Sequence, residues 1–319
     1  MTAEINATTV FKLEDGYKIT TLEGNGCILI LREKNDKVVA ILEGCGHCIH
    51  QVSPYKGRQM TPREKHLLHK FIRSHQYQLN MESAALLDLS VIKYADGTEE
   101  YLSERQLKKR LRDRLENVTL QVNRLSLRTL HIPAFSKGGI YNFSRAAIKK
   151  VIVGKNCDLL LDFGHNQAIK TLQVHESFTG SINLSHNTVE KIELGNNCRC
   201  DLAVYGSLRC FSLRIADVYS GNLIVKNSCF HHLDIGYYCY ALINLSDNWG
   251  RRDLTIGDSF RGSLNVDTVN VYNIKVGKDC KGRLNISSKT PQRGNRKVEL
   301  GDDFAGVLDL QGSPTVERV

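Results

Sequence analysis

The chain has 319 residues, with 43 Lys and Arg against 34 Asp and Glu, a net charge of +9 at pH 7 and a hydrophobic content of 41%. That length gives room for two domains and a substantial core. No apolar run approaches the ~18 residues that cross a bilayer as a helix, and Met1 to Thr9 is not a basic segment followed by an apolar one, so no signal peptide is read. Ten cysteines without such a leader read as reduced thiols, and the expected compartment is cytoplasmic, with specialised secretion left open.

Residues 10–42 alternate apolar and polar side chains in four runs, Val10 to Leu13, Tyr17 to Leu22, Cys27 to Leu31 and Val38 to Leu42. Gly24-Asn25-Gly26 and Asn35-Asp36 supply turns, which predicts an antiparallel meander. A helix comes next, with Thr61 at its N-cap, Pro62 at its first position, Glu64 three residues after the cap, and Leu67, Leu68, Phe71 and Ile72 on its buried face. A strand from Leu87 to Tyr94 turns at Asp96-Gly97. A second helix starts at Ser103 and runs to about Leu115, with Leu107, Leu111 and Leu115 on one face. Residues 1–116 therefore read as a small α+β domain, whose basic helix is expected to cap the open end of the C-terminal repeat region.

One chemical motif lies in this domain: Cys45-Gly46-His47-Cys48-Ile49-His50. Cys-x-x-Cys bends the chain so that two thiolates reach one tetrahedral zinc, with His50 and His69 as the expected remaining ligands among the nearby histidines His66 and His75. The tetrapeptide Cys-Gly-His-Cys also resembles the active site of protein disulfide isomerases, which implies thiol redox chemistry. The third reading is purely structural: two thiols and several histidines with no shared task. The cofactor expectation is none, or one structural zinc.

Two basic clusters stand out. One holds Lys56, Arg58, Arg63, Lys65, Lys70 and Arg73 around the first helix; the other holds Arg105, Lys108, Lys109, Arg110, Arg112 and Arg114 on the second. Such clusters bind nucleic acid or acidic partners when they form a clean stripe. Glu104, Asp113 and Glu116 interrupt the second, and interleaved aromatics are absent from it.

From residue 117 onward the chain repeats. Gly154, His175, Gly195, Ala216, Gly236, Gly257 and Gly277 fall at spacings of 21, 20, 21, 20, 21 and 20 residues. Apolar residues stand three and one positions before each anchor, as in Ile192 and Leu194, and seven and nine after it, as in Leu202 and Val204. That alternation predicts two short strands per unit, and glycine at the anchor suits a tight turn at positive φ. Three residues after the anchor the chain reads Cys157, Phe178, Cys198, Tyr219, Cys239, Phe260, Cys280 and Phe304. Small and bulky side chains alternate, an interlocking way to fill a stacked core, and this makes 41 residues the packing period. The predicted fold class is mainly β, with residues 117–319 forming a parallel β-solenoid of about 20–21-residue coils. The last spacing stretches to 24 because Ser287 to Arg296 inserts a basic loop containing Arg293 and Arg296, and such insertions often carry binding.

Val189-x-x-Ile192-x-Leu194-x-x-Asn197 resembles the leucine-rich-repeat consensus, and Ile256-Gly257-x-x-Phe260-x-Gly262 is similar to the BspA-like bacterial subclass over roughly residues 129–312. The resemblance implies a repeat surface used in recognition. There is no Gly-x-Ser-x-Gly elbow, Walker A loop or His-Glu-x-x-His. The expected function is a non-enzymatic repeat scaffold that binds a protein partner and self-associates as an additional option, with the N-terminal module as cap or specificity element and no membrane contact. Candidate partner-binding residues are Lys65, Arg73, Lys108, Lys109, Arg112, Arg293 and Arg296. The first alternative is nucleic-acid binding through the basic N-terminal helices, and the second is a carbohydrate-active or thiol-dependent enzyme.

Overall fold

The structure is a computed structural model that describes residues 7–22, 27–45, 48–75, 78–79, 81–166, 168–206, 211–248, 252–267, 271–287, 297–310 and 315–318. The chain divides into two compact units, 1–107 and 108–319.

The first unit is built on a six-stranded sheet in the order β1 (Ala7–Lys12), β2 (Lys18–Leu22), β3 (Cys27–Arg32), β4 (Val38–Cys45), β5 (Cys48–Pro54) and β6 (Gln78–Leu79). Neighbours run antiparallel except β5 and β6, which are parallel. The predicted meander is therefore present and one strand pair longer. The turn at Gly24-Asn25-Gly26 lies outside the described residues, whereas Asp36 carries the positive φ expected of its turn. Helix α1 (Pro62–Ser74) begins on a capping box: Glu64 N–H donates to Thr61 Oγ1 at 3.2 Å, and Thr61 N–H donates to Glu64 Oε2 at 2.7 Å. Its apolar face packs Leu68, Phe71 and Ile72 against Ile19, Leu29 and Leu42 of the sheet. A short helix α2 (Met81–Leu86), not anticipated from the sequence, precedes the hairpin β7 (Ser90–Tyr94) and β8 (Glu99–Leu102). Helix α3 (Glu104–Arg110) ends earlier than predicted, yet Leu107, Leu111 and Leu115 are all buried.

The second unit is a parallel β-solenoid of about 8 coils of ~21 residues over 119–318. Each coil contributes one strand to each of two walls. The first wall runs from Leu125–Ile132 through Ala146–Val153 to Thr315–Arg318, and the second from Val118–Gln121 through Lys137–Asn142 to Val307–Leu310. Every neighbouring pair is parallel, and apart from register shifts at Lys137/Gly139, Phe211/Ser212 and Arg252/Asp253 residues at one repeat position form a column, as in Leu172↔Ile192 and Leu202↔Leu223. The inward columns predicted from the repeat are buried throughout the middle coils. Among the described residues of 119–318 both walls are strands and no helix occurs.

The corners correct one expectation. The anchor glycines Gly154, Gly195, Gly236, Gly257, Gly277 and Gly301 do not sit at positive φ. Glycine is needed there for space: a Cβ would collide with the backbone of the preceding coil, as Gly195 would with His175 and Glu176. The left-handed turn falls two residues later, on Phe135, Asn156, Ser177, Asn197, Val218, Tyr238, Ser259, Asp279 and Asp303. A second left-handed corner falls at His165, His186, Gly206, Asn227 and Asp247.

The alternating column is buried as predicted from Cys157 to Cys280. Each small member does more than fill space. The thiols of Cys157, Cys198 and Cys280 reach back to the anchor carbonyls of the coil before, Pro133 at 3.3 Å, His175 at 3.6 Å and Gly257 at 3.6 Å. Burial pushes these thiols above the ordinary cysteine range. One cysteine departs from the reading of ten reduced thiols: Cys229 is disulfide-bonded.

Candidate functional site

Among the described residues the second wall exposes apolar side chains at the paired Ile140 and Leu160, at Val307 and, most densely, around one coil. Tyr237, Tyr238, Tyr240 and Leu242 belong to a single coil and are 51% to 61% exposed. Val218, on the coil before, joins them at 44%. The repeat explains why they project. Tyr237 and Tyr238 occupy the corner after the anchor Gly236, and Tyr240 and Leu242 alternate with the buried Ala241 and Ile243 on the strand Tyr240–Asn244.

The positions of Tyr240 and Leu242 are polar in the adjacent coils. Tyr240 lies beside Ser220, and Leu242 lies between Asn222 and Ser263. The cluster is therefore an island rather than a stripe, rimmed by hydrogen-bonded polar groups. Asn222 Nδ2 donates to Asp201 Oδ1 at 2.9 Å, and Arg261 pairs with Asp279 at 3.1 Å.

Its backbone is held from both sides. Val218 N–H donates to Tyr237 O at 2.8 Å, Tyr237 N–H to Asp217 Oδ1 at 2.9 Å, Tyr238 N–H to Asp258 O at 3.0 Å and Tyr240 N–H to Tyr219 O at 2.8 Å. Val218 and Tyr238 both take left-handed φ, 59° and 53°. A β-branched residue there is strained, so the surrounding coils impose the corner. The result is a preorganised patch of three phenol rings and an aliphatic side chain. Such a patch gains free energy by desolvation on contact with another surface and loses little side-chain entropy.

The residues anticipated from the sequence are scattered by comparison. Cys45 and Cys48 are backbone register partners where β4 pairs with β5. The side chain of Cys45 and residue His47 lie outside the described residues. Cys48 is half-buried. His50 is an exposed residue at a bulge of β5, where Gly44 pairs with Ile49 and Glu43 with Gln51. His69 is buried on α1, with its Nε2 3.3 Å from Tyr101 O, and burial holds its pKa below the ordinary histidine value. Among the described residues no three His, Cys, Asp or Glu side chains group as metal ligands would.

The first basic cluster is largely occupied by carboxylates of its own unit. Lys65 pairs with Asp88 at 2.8 Å, Arg63 with Glu14 and Asp15, Lys70 with Glu14, and Arg58 with Glu33 and Glu64. Arg73 is exposed in the last turn of α1. In the second cluster Arg110 pairs with Asp113 at 3.1 Å and Arg114 with Glu116. Lys108 is half-buried, and Lys109 and Arg112 are exposed. Arg293 and Arg296 lie outside the described residues, as does Trp249.

The tyrosine island was missed in the sequence because its residues were read only through their repeat positions. The signal was present: Tyr237-Tyr238-Cys239-Tyr240-Ala241-Leu242 places apolar residues at outward positions, which polar residues fill in adjacent coils. Comparison with protein families, with curated proteins and with solved structures returned no match.

Proposed function

We propose that this chain is a non-enzymatic scaffold whose solenoid binds a protein partner through the island of Tyr237, Tyr238, Tyr240 and Leu242, with the N-terminal unit adding specificity. The observation that carries this reading is the island itself: four large apolar side chains exposed on one coil, with polar residues beside Tyr240 and Leu242 on the flanking strands. Tyrosine anchors inside a polar rim are the usual composition of an interface hot spot. No catalytic constellation accompanies it in the sequence, and its columns repeat structure rather than chemistry. A parallel solenoid suits this role because each coil is fixed by two neighbours, so a surface feature is held rigidly without a dedicated loop.

The test replaces tyrosine with a photo-crosslinking phenylalanine analogue at position 240 in the full chain. Crosslinked products are compared with those of a chain that also carries Leu242→Asp. A discrete adduct to one protein, or to a second copy of the chain, that disappears with Leu242→Asp supports the reading. Absence of any discrete adduct, or adducts insensitive to Leu242→Asp, overturns it.

A further inference from the structure

The 41 residues from Asn117 to Cys157 contain seven Lys and Arg and no Asp or Glu. Glu116 is the last carboxylate before this stretch and Asp158 the first after it. The solenoid turns this sequence bias into a surface. Leu127 pairs with Ile148 and Thr129 with Lys150, which brings Arg128 beside Lys149. Lys170 N–H then donates to Lys149 O at 2.9 Å, which brings Lys170 to the same place on the next coil. Arg128, Lys149 and Lys170 thus form a column of three exposed cations on successive coils of the first wall, at the ~4.8 Å strand spacing. Leu125 pairs with Ala146, so Arg124 and Arg145 stand side by side in a parallel row, both exposed.

The rest of this wall is charged differently. Toward the C-terminus cations stand beside carboxylates and pair with them: Arg214 with Asp234 at 3.8 Å, Lys275 with Glu299 at 3.2 Å, and Lys297 with Glu299 and Glu317 at 2.9 Å. The cationic column ends where Lys170 meets Glu190 at 3.2 Å. Like charges at this spacing repel one another in the unbound molecule. The first coils are therefore complementary to a dense external anion, and the later coils are not.

We propose that the surface of Arg124, Arg128, Arg145, Lys149 and Lys170 binds the phosphate backbone of a nucleic-acid duplex. A duplex presents about one negative charge per 1.7 Å of axis, dense enough to engage several of these cations at once and to release counterions on binding. The flanking Thr129 and Thr171 carry hydroxyls of the kind that contact phosphates. No Phe, Tyr or Trp stands in these columns, so the surface lacks the stacking platforms of a single-strand binder and the apolar wedge of a membrane-seeking face. The inference is independent of the tyrosine island, which lies on the other wall.

The experiment measures fluorescence anisotropy of a labelled duplex of about 20 base pairs with the full chain, between about 50 and 200 mM salt. It compares the wild type, Arg128→Gln/Lys149→Gln/Lys170→Gln, the single variant Lys149→Glu, and a control Lys275→Gln/Lys278→Gln/Lys281→Gln. Affinity is expected to fall steeply with salt. The column variant should weaken binding by about tenfold or more and flatten the log–log salt slope by roughly two to three, at about 0.9 per lost phosphate contact. Lys149→Glu should show a smaller loss in the same direction, and the control should bind as wild type. No duplex binding at low salt, equal losses in the control, or binding to phosphatidylserine vesicles or polyglutamate in place of the duplex would each overturn the proposal.

Discussion

The hydroxyl of Tyr219 donates to the carbonyl oxygen of Cys200, one coil earlier, at 2.7 Å. The ladder between the strands Arg199–Tyr205 and Ser220–Lys226 skips this point, pairing Arg199 with Ser220 and resuming at Leu202 with Leu223. Tyr219 thus supplies a hydrogen bond that the wall omits. Gly221 stands at the gap. It sits at φ +137°, and a Cβ there would collide with the same Cys200 carbonyl. Phe178 with Gly180 and Phe260 with Gly262 repeat the arrangement, each glycine pressing on the carbonyl of Leu159 or Ala241. A bulky ring three residues after the anchor is thus followed by a glycine two residues later, as Cys280 also is by Gly282.

Tyr219→Phe removes only the hydroxyl and leaves a buried carbonyl unpaired, so it should cost about 1–2 kcal/mol. Gly221→Ala adds a Cβ at a φ that side chains rarely adopt and against a fixed carbonyl, so it should cost about 3 kcal/mol or more. Urea denaturation of both variants checks the order. A Gly221→Ala protein as stable as the wild type would show that the glycine is not required by this contact.

The cysteine column makes a prediction about reactivity. Cys157, Cys198, Cys239 and Cys280 are buried, each thiol bonded to backbone carbonyls, and burial raises their pKa values. Thiolate is the reacting species. Iodoacetamide at neutral pH should therefore modify Cys48 well before any of these four, which should react only in denaturant. Mass mapping of the labelled peptides gives the order, and early labelling of Cys198 or Cys239 would contradict the packing described.

The second corner holds buried amides that the repeat did not announce. Asn166 Nδ2 donates to Phe143 O at 3.3 Å, Asn187 Nδ2 to Phe163 O at 2.8 Å and to Ser185 O at 3.1 Å, and Asn248 Nδ2 to Val225 O at 2.6 Å. These side chains satisfy carbonyls where the chain turns inside the stack. Asn187→Ala should cost about 1–3 kcal/mol by stranding Phe163 O, whereas His186→Ala, whose exposed ring stacks on that of His165 at 4.7 Å, should cost under about 1 kcal/mol. Thermal denaturation of the pair separates the two roles.

These corners show what was legible in the sequence. The inward columns and the coil length could be read because apolar burial imposes a period of two within strands and about 20 between coils. Leu202 and Leu223 needed only that rule. The corner chemistry was hidden because several residue types do the same job there. Asn156, Ser177, Val218 and Tyr238 all take the left-handed turn, so no single consensus marks it. The glycine anchors suggested the wrong reason for themselves, since close approach and positive φ favour the same residue. The pairing of Lys65 with Asp88 joins residues 23 positions apart, across a fold that composition does not reveal. The cationic column was missed because basic residues were sought as clusters along the chain rather than along the register that stacks Arg128, Lys149 and Lys170.

His69 gives the N-terminal unit a specific dependence on pH. Its Nε2 donates to Tyr101 O, and the residue is buried, so the imidazolium is penalised mainly by desolvation and its folded pKa lies below 6.5. The unfolded chain protonates this residue near 6.5. Between that value and the lower folded pKa the unfolded state binds more protons, so stability falls as pH is lowered through this window. Above about pH 7 both states are neutral at this site and the contribution is complete. His69→Gln keeps a donor for Tyr101 O but cannot titrate. Its unfolding free energy should therefore fall less steeply than that of the wild type between about pH 6.5 and 5, with a difference in slope of at most about 1.4 kcal/mol per pH unit. Urea titrations at half-unit pH intervals measure it. Parallel curves for the two proteins would mean that His69 is solvated enough to protonate in place, and that its bond to Tyr101 does not depend on the neutral ring.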